Sequence, residues 1–143
     1  MFIGEYRHTL DEKRRLAVPA KFRRELGKGA VITRGTDNCL VIYPEKVWQK
    51  VAEKLSQLPA SKMEARKFAR VVLAGASAVD FDKLGRILVP DYLCQYAGLK
   101  KNTVIAGLYD KLEVWDENNW NKYRGAAEKE VNQLIENLGE TGI

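Results

Sequence analysis

Short apolar runs of branched residues alternate with charged turns along this chain of 143 residues. "RLAV" (15–18) and "RILV" (86–89) are two such runs; "AVIT" (30–33) and "TVIA" (103–106) are two more. Their length and β-branched content predict short strands of a small, curled, barrel-like sheet. "AKFRRELG" and "DYLCQYAG" each predict one helix, with Pro19 or Pro90 at the first helical position and Gly27 or Gly98 just past the end. "CLVIYPEKVW" (39–48) and "KLEVWDENNW" (111–120) each run from strand into helix. The first of these helices begins near Pro44 and is ended by Pro59. The second has Asp116 as its N-cap and carries Trp120, Tyr123, Ala127, Val131, Leu134 and Leu138 at three- and four-residue steps, a long amphipathic helix. Ser61 and Glu64 have capping-box spacing and predict a further helix from Ser61 to about Leu73.

These elements come in two copies. "DEKRRLAVP" (11–19) returns as "DKLGRILVP" (82–90), with Asp11, Arg15, Val18 and Pro19 matched by Asp82, Arg86, Val89 and Pro90 at an offset of 71. Leu40, Glu45 and Trp48 match Leu112, Glu117 and Trp120 at an offset of 72, so one residue is inserted between the blocks. Each copy reads strand, turn, strand, helix, strand, turn, strand, helix. Neither is large enough to bury its own apolar face, so the two should pack together about a pseudo-twofold axis. The expectation is an α+β fold: a first repeat over 1–58, a connecting helix within 59–76, and a second repeat over 77–143.

Charge is unevenly placed. Residues 1–34 hold nine Lys or Arg against four acids, and the remaining residues hold fifteen of each sign, so the whole excess of +5 surrounds the first charged turn. Such a patch attracts polyanions, nucleic acid above all; the alternative is a solvated helix face. Cys39 and Cys94 are too few for a zinc knuckle or a disulfide framework, and His8, the only histidine, reads as a strand residue near a turn. No phosphate-binding glycine loop follows any strand. The acidic pairs Asp11/Glu12 and Asp116/Glu117 fit turns and helix starts better than acid–base catalysis. No apolar run approaches the ~20 residues of a membrane span, and the N-terminus has no signal-peptide core, which points to the cytoplasm. No cofactor or metal is expected.

The charged turns carry the candidate chemistry. Gly85 suits a hairpin position with positive φ, and its counterpart Arg14 would enter that region at about 1 kcal/mol. Asp11 and Asp82 can accept from turn amides or pair with the arginine four residues on. Arg15 and Arg86 present planar donor forks suited to phosphate or to the O6/N7 edge of guanine. A turn needs no arginine, and two stand at equivalent places.

The chain resembles the MraZ proteins, bacterial transcriptional regulators of the division and cell wall gene cluster. The resemblance rests on "MFIGEYRHTLDEKRRLAVPAKFR", "VDFDKLGRILVPDYL" and the "EVW…NW" stretch. It implies two swapped-hairpin units of the AbrB type and a ring of several chains. It also implies a cytoplasmic, nucleoid-associated protein that binds promoter DNA carrying short direct repeats. Carried onto this chain, the family's motif falls on Asp11 and Arg15 and on Asp82 and Arg86. On the DNA-binding reading, Asp11, Asp82 and Gly85 shape the turns, Arg15 and Arg86 are the candidates for base edges, Lys13, Arg14, Arg23 and Arg24 meet mainly phosphates, and Lys83 is a further DNA-binding candidate. Two departures stand out: Arg14 where the family usually has glycine, and Cys94 in a stretch that often holds arginine. They lead to the expectation that the first hairpin does more of the binding. An RNA-binding module and a purely structural oligomer are the rival readings.

Overall fold

The computed structural model describes all residues, 1–143. The first half runs β1 (Phe2–Thr9), β2 (Arg15–Ala17), α1 (Ala20–Leu26), β3 (Val31–Arg34), β4 (Leu40–Tyr43) and α2 (Glu45–Ser56). After α3 (Met63–Ala74) the order returns as β5 (Ser77–Ala78), β6 (Arg86–Leu88), α4 (Asp91–Ala97), β7 (Asn102–Tyr109), β8 (Leu112–Asp116) and α5 (Glu117–Lys129). A final helix, α6 (Val131–Leu138), follows. The class is α+β with antiparallel pairing throughout.

Each half lends its first strand to the other. The main sheet has the order β1-β7-β8-β4-β3-β5, and β2 and β6 form a separate two-stranded ribbon. Exchanging the halves turns that order into itself. Arg7 faces Val104 between β1 and β7, and the equivalent residues Ala78 and Val31 face each other between β5 and β3. Where matching strands meet, the residues on the axis pair with their own counterparts: Leu16 with Ile87, and Val41 with Glu113 in the alignment of the two copies. The sheet stays open, ending at β1 and β5. With only two residues, β5 offers β1 too little edge to close a barrel.

One core serves both halves. Leu16, Val18, Phe22 and Ile32 from the first and Ile87, Val89, Leu93 and Ile105 from the second belong to a single buried cluster. Where β1 pairs with β7, Gly107 lies so close to the backbone of Phe2 and Ile3 that a Cβ would collide with it. A smaller cluster of Cys39, Val41, Val104 and Trp115 lies beneath Trp120. There Trp115 and Trp120 meet edge-on at 5.4 Å, and their repeat counterparts Tyr43 and Trp48 meet at 5.7 Å.

The helix boundaries refine the sequence reading. Pro19, Pro44 and Pro90 stand at the cap, one position before the first helical residue, with extended ψ of 138°, 153° and 144°. Their carbonyls accept from the N–H groups of Arg23, Trp48 and Cys94, so a proline that cannot donate still supplies the acceptor that opens each helix. Asp116 caps α5 as expected, its side chain accepting from Asn119 N–H at 3.1 Å. The capping box is not formed. Lys62 N–H bonds Pro59 O at 3.1 Å in a local turn, and α3 begins at Met63 without a side-chain cap. The long terminal helix is two helices, because Glu130 leaves helical geometry at φ −103°, ψ 1° and its N–H bonds Ala127 O, only three residues back. No helix is long and apolar enough to cross a membrane.

Leu16 and Ile87 are 0% and 1% exposed at the centre of the ribbon. Leu16→Ala and Ile87→Ala should each destabilise by about 2–5 kcal/mol in urea unfolding. Because the two side chains share one site, the double variant should fall short of additivity.

Candidate nucleic-acid interface

The two charged turns are built alike. Arg14 N–H bonds Asp11 O at 2.9 Å and Asp11 N–H bonds Arg15 O at 3.0 Å; in the second copy Gly85 N–H bonds Asp82 O at 3.0 Å and Asp82 N–H bonds Arg86 O at 2.9 Å. Arg14 and Gly85 are left-handed, at φ 60° and 75°. This is a three-residue hairpin loop, a tight turn closed by one left-handed residue, which explains glycine at 85 and puts strain on Arg14.

One carboxylate closes each loop and aims its arginine. Asp11 Oδ1 accepts from the N–H groups of Lys13 (2.9 Å) and Arg15 (2.8 Å), while Oδ2 accepts from Arg15 Nε at 2.6 Å. Asp82 Oδ1 accepts from Leu84 and Arg86 N–H, both at 2.9 Å, and Oδ2 from Arg86 Nε at 2.8 Å. The backbone N–H of Arg15, followed by its guanidinium, holds the Asp11 carboxyl below the usual carboxylate range; Arg86 does the same for Asp82. The ion pairs are made, and because they use Nε they leave both terminal nitrogens of each arginine unbonded by its own aspartate.

The ribbon collects the two arginines on one face. Leu16 and Ile87 point into the core, so Arg15, Ala17, Arg86 and Leu88 point out. Arg86 Nη1 also lies 3.8 Å from Asp11 Oδ2, so both guanidiniums gather about one carboxylate near the axis. The loops are tied across it: Arg14 O accepts from Val89 N–H at 2.9 Å, and Gly85 O from Val18 N–H at 3.2 Å. Lys13 and Lys83 stand exposed at the tips without ion pairs. Arg24 lies elsewhere, beside Met1, Lys21 and Glu25 at the start of β1. Its distance from the ribbon was invisible in its position next to Arg23.

The remaining candidates are structural in their contacts. His8 lies in β1, its carbonyl accepting from Thr103 Oγ1 at 2.8 Å, and burial lowers its pKa. Cys39 and Cys94 are free buried thiols pushed upward by burial. No group of three or more potential metal ligands exists.

A family model described as "MraZ protein, putative antitoxin-like" matches residues 1–71 and again 72–137. The chain belongs to the MraZ family. Proteins named "Transcriptional regulator MraZ" are similar to it over essentially their full length. That of Natranaerobius thermophilus is 46% identical over 143 residues, covering 100% of both chains. That of Desulforamulus reducens is 44% identical over 138 residues, covering 96% of this chain and 97% of the relative. That of Leuconostoc citreum is 45% identical over 138 residues, covering 96% of each. MraZ is a family of regulators and not of enzymes, in keeping with Asp11 and Asp116 serving a turn and a helix cap.

The two departures from the usual MraZ pattern fall on one spot. Arg23, on α1, donates from Nη1 to Val18 O at 2.8 Å and lies where a Cβ on Gly85 would be. Its repeat counterpart is Cys94, whose Sγ lies 3.7 Å from Val89 O, with Arg14 beside it. So one side takes its guanidinium from the helix, over a glycine. The other takes it from the loop, over a cysteine, and Arg14 reaches Asp91 at 3.7 Å. A guanidinium thus stands on both sides, although on the side of Cys94 it is accompanied by the carboxylate of Asp91. Sequence reading missed this because Arg14 and Cys94 meet only through the exchange of halves.

Cys94→Arg alone should crowd two guanidiniums together and destabilise by about 1–3 kcal/mol in urea unfolding; adding Arg14→Gly should recover most of that, whereas additive effects would place the residues apart. Acid should loosen the loops. With the folded pKa of both aspartates depressed, their contribution is complete above the ordinary carboxylate value of about 4 and is lost as pH falls through the lowered value. Urea midpoints of Asp82→Asn should therefore drop less between pH 5 and pH 2 than those of the unaltered protein.

Proposed function

We propose that the protein is a sequence-specific transcriptional regulator that binds double-stranded promoter DNA through the β2/β6 ribbon. The observation that carries this reading is the pair of guanidiniums, each oriented by a carboxylate four residues earlier, on one face of a two-stranded ribbon. A ribbon of this width enters the major groove, where a guanidinium fork addresses guanine. Lys13, Lys83, Arg14 and Arg23 flank it and meet phosphates, which set register without reading sequence. Arg24 is the weakest member of this set, given its place at the start of β1.

The names of the relatives support regulation, and the face itself favours duplex DNA over RNA. Arg15, Ala17, Arg86 and Leu88 include no aromatic on which an unpaired base could stack. We infer further that several chains form a ring on the direct repeats of division and cell wall promoters, in a cytoplasmic, nucleoid-associated assembly without a cofactor. Each ribbon alone makes few contacts; several on one scaffold act at high effective concentration, so repeat spacing enters the specificity.

Fluorescence anisotropy with duplex from upstream of the protein's own gene tests this. Arg15→Ala and Arg86→Ala should each weaken binding by roughly 10- to 100-fold and to similar extents. Lys13→Ala should weaken specific and scrambled duplexes alike and lower the salt slope by about one. A folded Arg15→Ala/Arg86→Ala variant that binds as well as the unaltered protein would place the DNA surface elsewhere.

A further inference from the structure

The outer face of the ribbon departs from its own symmetry at one position. Arg15 and Arg86 are equivalent, but the residue two places on is Ala17 in β2 and Leu88 in β6. Leu88 is 62% exposed, lies directly opposite Arg15, and stands two residues from Arg86 on the same face. Nothing in the fold calls for a leucine there, since alanine fills the matching place and the buried contacts are made by Leu16 and Ile87.

The two guanidiniums decide what such a leucine can meet. Whatever anionic surface they approach, Leu88 approaches with them. Phosphates and guanine edges give an isobutyl group nothing, whereas the thymine 5-methyl is the apolar group displayed in the major groove. We propose that Leu88 contacts a thymine methyl beside the base addressed by Arg15, and that the Ala17/Leu88 difference makes the ribbon read its site in one direction. This rests on the DNA-binding reading above. A ribbon with equal faces would favour a site that is its own inverted repeat; this one distinguishes the two strands. The second loop strengthens the polarity, because its tip carries Leu84, 71% exposed, where the first carries Lys13.

Replacing thymine by deoxyuridine removes only the methyl group, so each thymine of the upstream duplex can be substituted in turn. The unaltered protein should lose roughly three- to fivefold in affinity at one thymine position of each bound site, the equilibrium worth of one buried methyl. Leu88→Ala should bind more weakly by a similar factor and be indifferent to deoxyuridine at that position. Ala17→Leu/Leu88→Ala, which transposes the side chains between two outward-facing positions, should move the sensitivity to the opposite strand. Equal deoxyuridine losses for the unaltered protein and Leu88→Ala would overturn the assignment, as would the absence of any sensitive thymine while specific binding persists. A changed subunit number for Leu88→Ala in mass photometry would overturn it too, making Leu88 a contact between copies. Failure of the unaltered protein to bind any duplex would sink the DNA reading itself, a result distinct from these.

Discussion

Exchange of strands between the halves is the constraint from which the rest follows. A β1 that paired within its own half would leave two small sheets, each with an uncovered apolar face. By pairing β1 with β7 and β5 with β3, the chain buries Leu16, Ile32, Ile87 and Ile105 in one core. The same exchange sets β2 against β6, and that pairing brings two arginines, 71 positions apart in sequence, to one carboxylate. The arginine-bearing face proposed to meet DNA is a product of the topology before it is a product of any single residue.

Asp11 and Asp82 then do two jobs at one cost. Their Oδ1 atoms take up loop N–H groups that would otherwise face solvent unpaired, and their Oδ2 atoms hold the guanidiniums. Exposed ion pairs contribute little to stability. Their value lies in orientation: a guanidinium held at Nε has fewer side-chain conformations to lose when its terminal nitrogens engage a partner.

Local chemistry was legible in the sequence and long-range geometry was not. The doubled D-x-x-x-R turn, the prolines ahead of α1, α2 and α4, and the left-handed place of Gly85 all follow from residue types at short spacing. Asp116 announced its helix; Ser61 and Glu64 announced one that starts two residues later, because Pro59 draws Lys62 into a turn instead. The break at Glu130 has no glycine or proline to mark it. Least visible was the meeting of Arg14 with Cys94 and of Arg23 with Gly85, since each pair joins residues from opposite halves. The two departures from the family pattern are far apart in sequence, and only the fold brings Arg14 beside Cys94.

The pairing of β1 with β7 has a consequence for how the chain is made. Phe2 finds its partner at Tyr109 and Thr9 at Asn102, so β1 is synthesised long before the strand it pairs with. Contacts this distant in sequence slow folding, because loop-closure entropy is spent before they form. During synthesis the first half therefore emerges with its strand edge unpaired, and an unpaired edge invites another chain. Once β7 is made, its covalent link to β1 holds it at high effective concentration, which favours closure within the chain over capture of a strand from another copy.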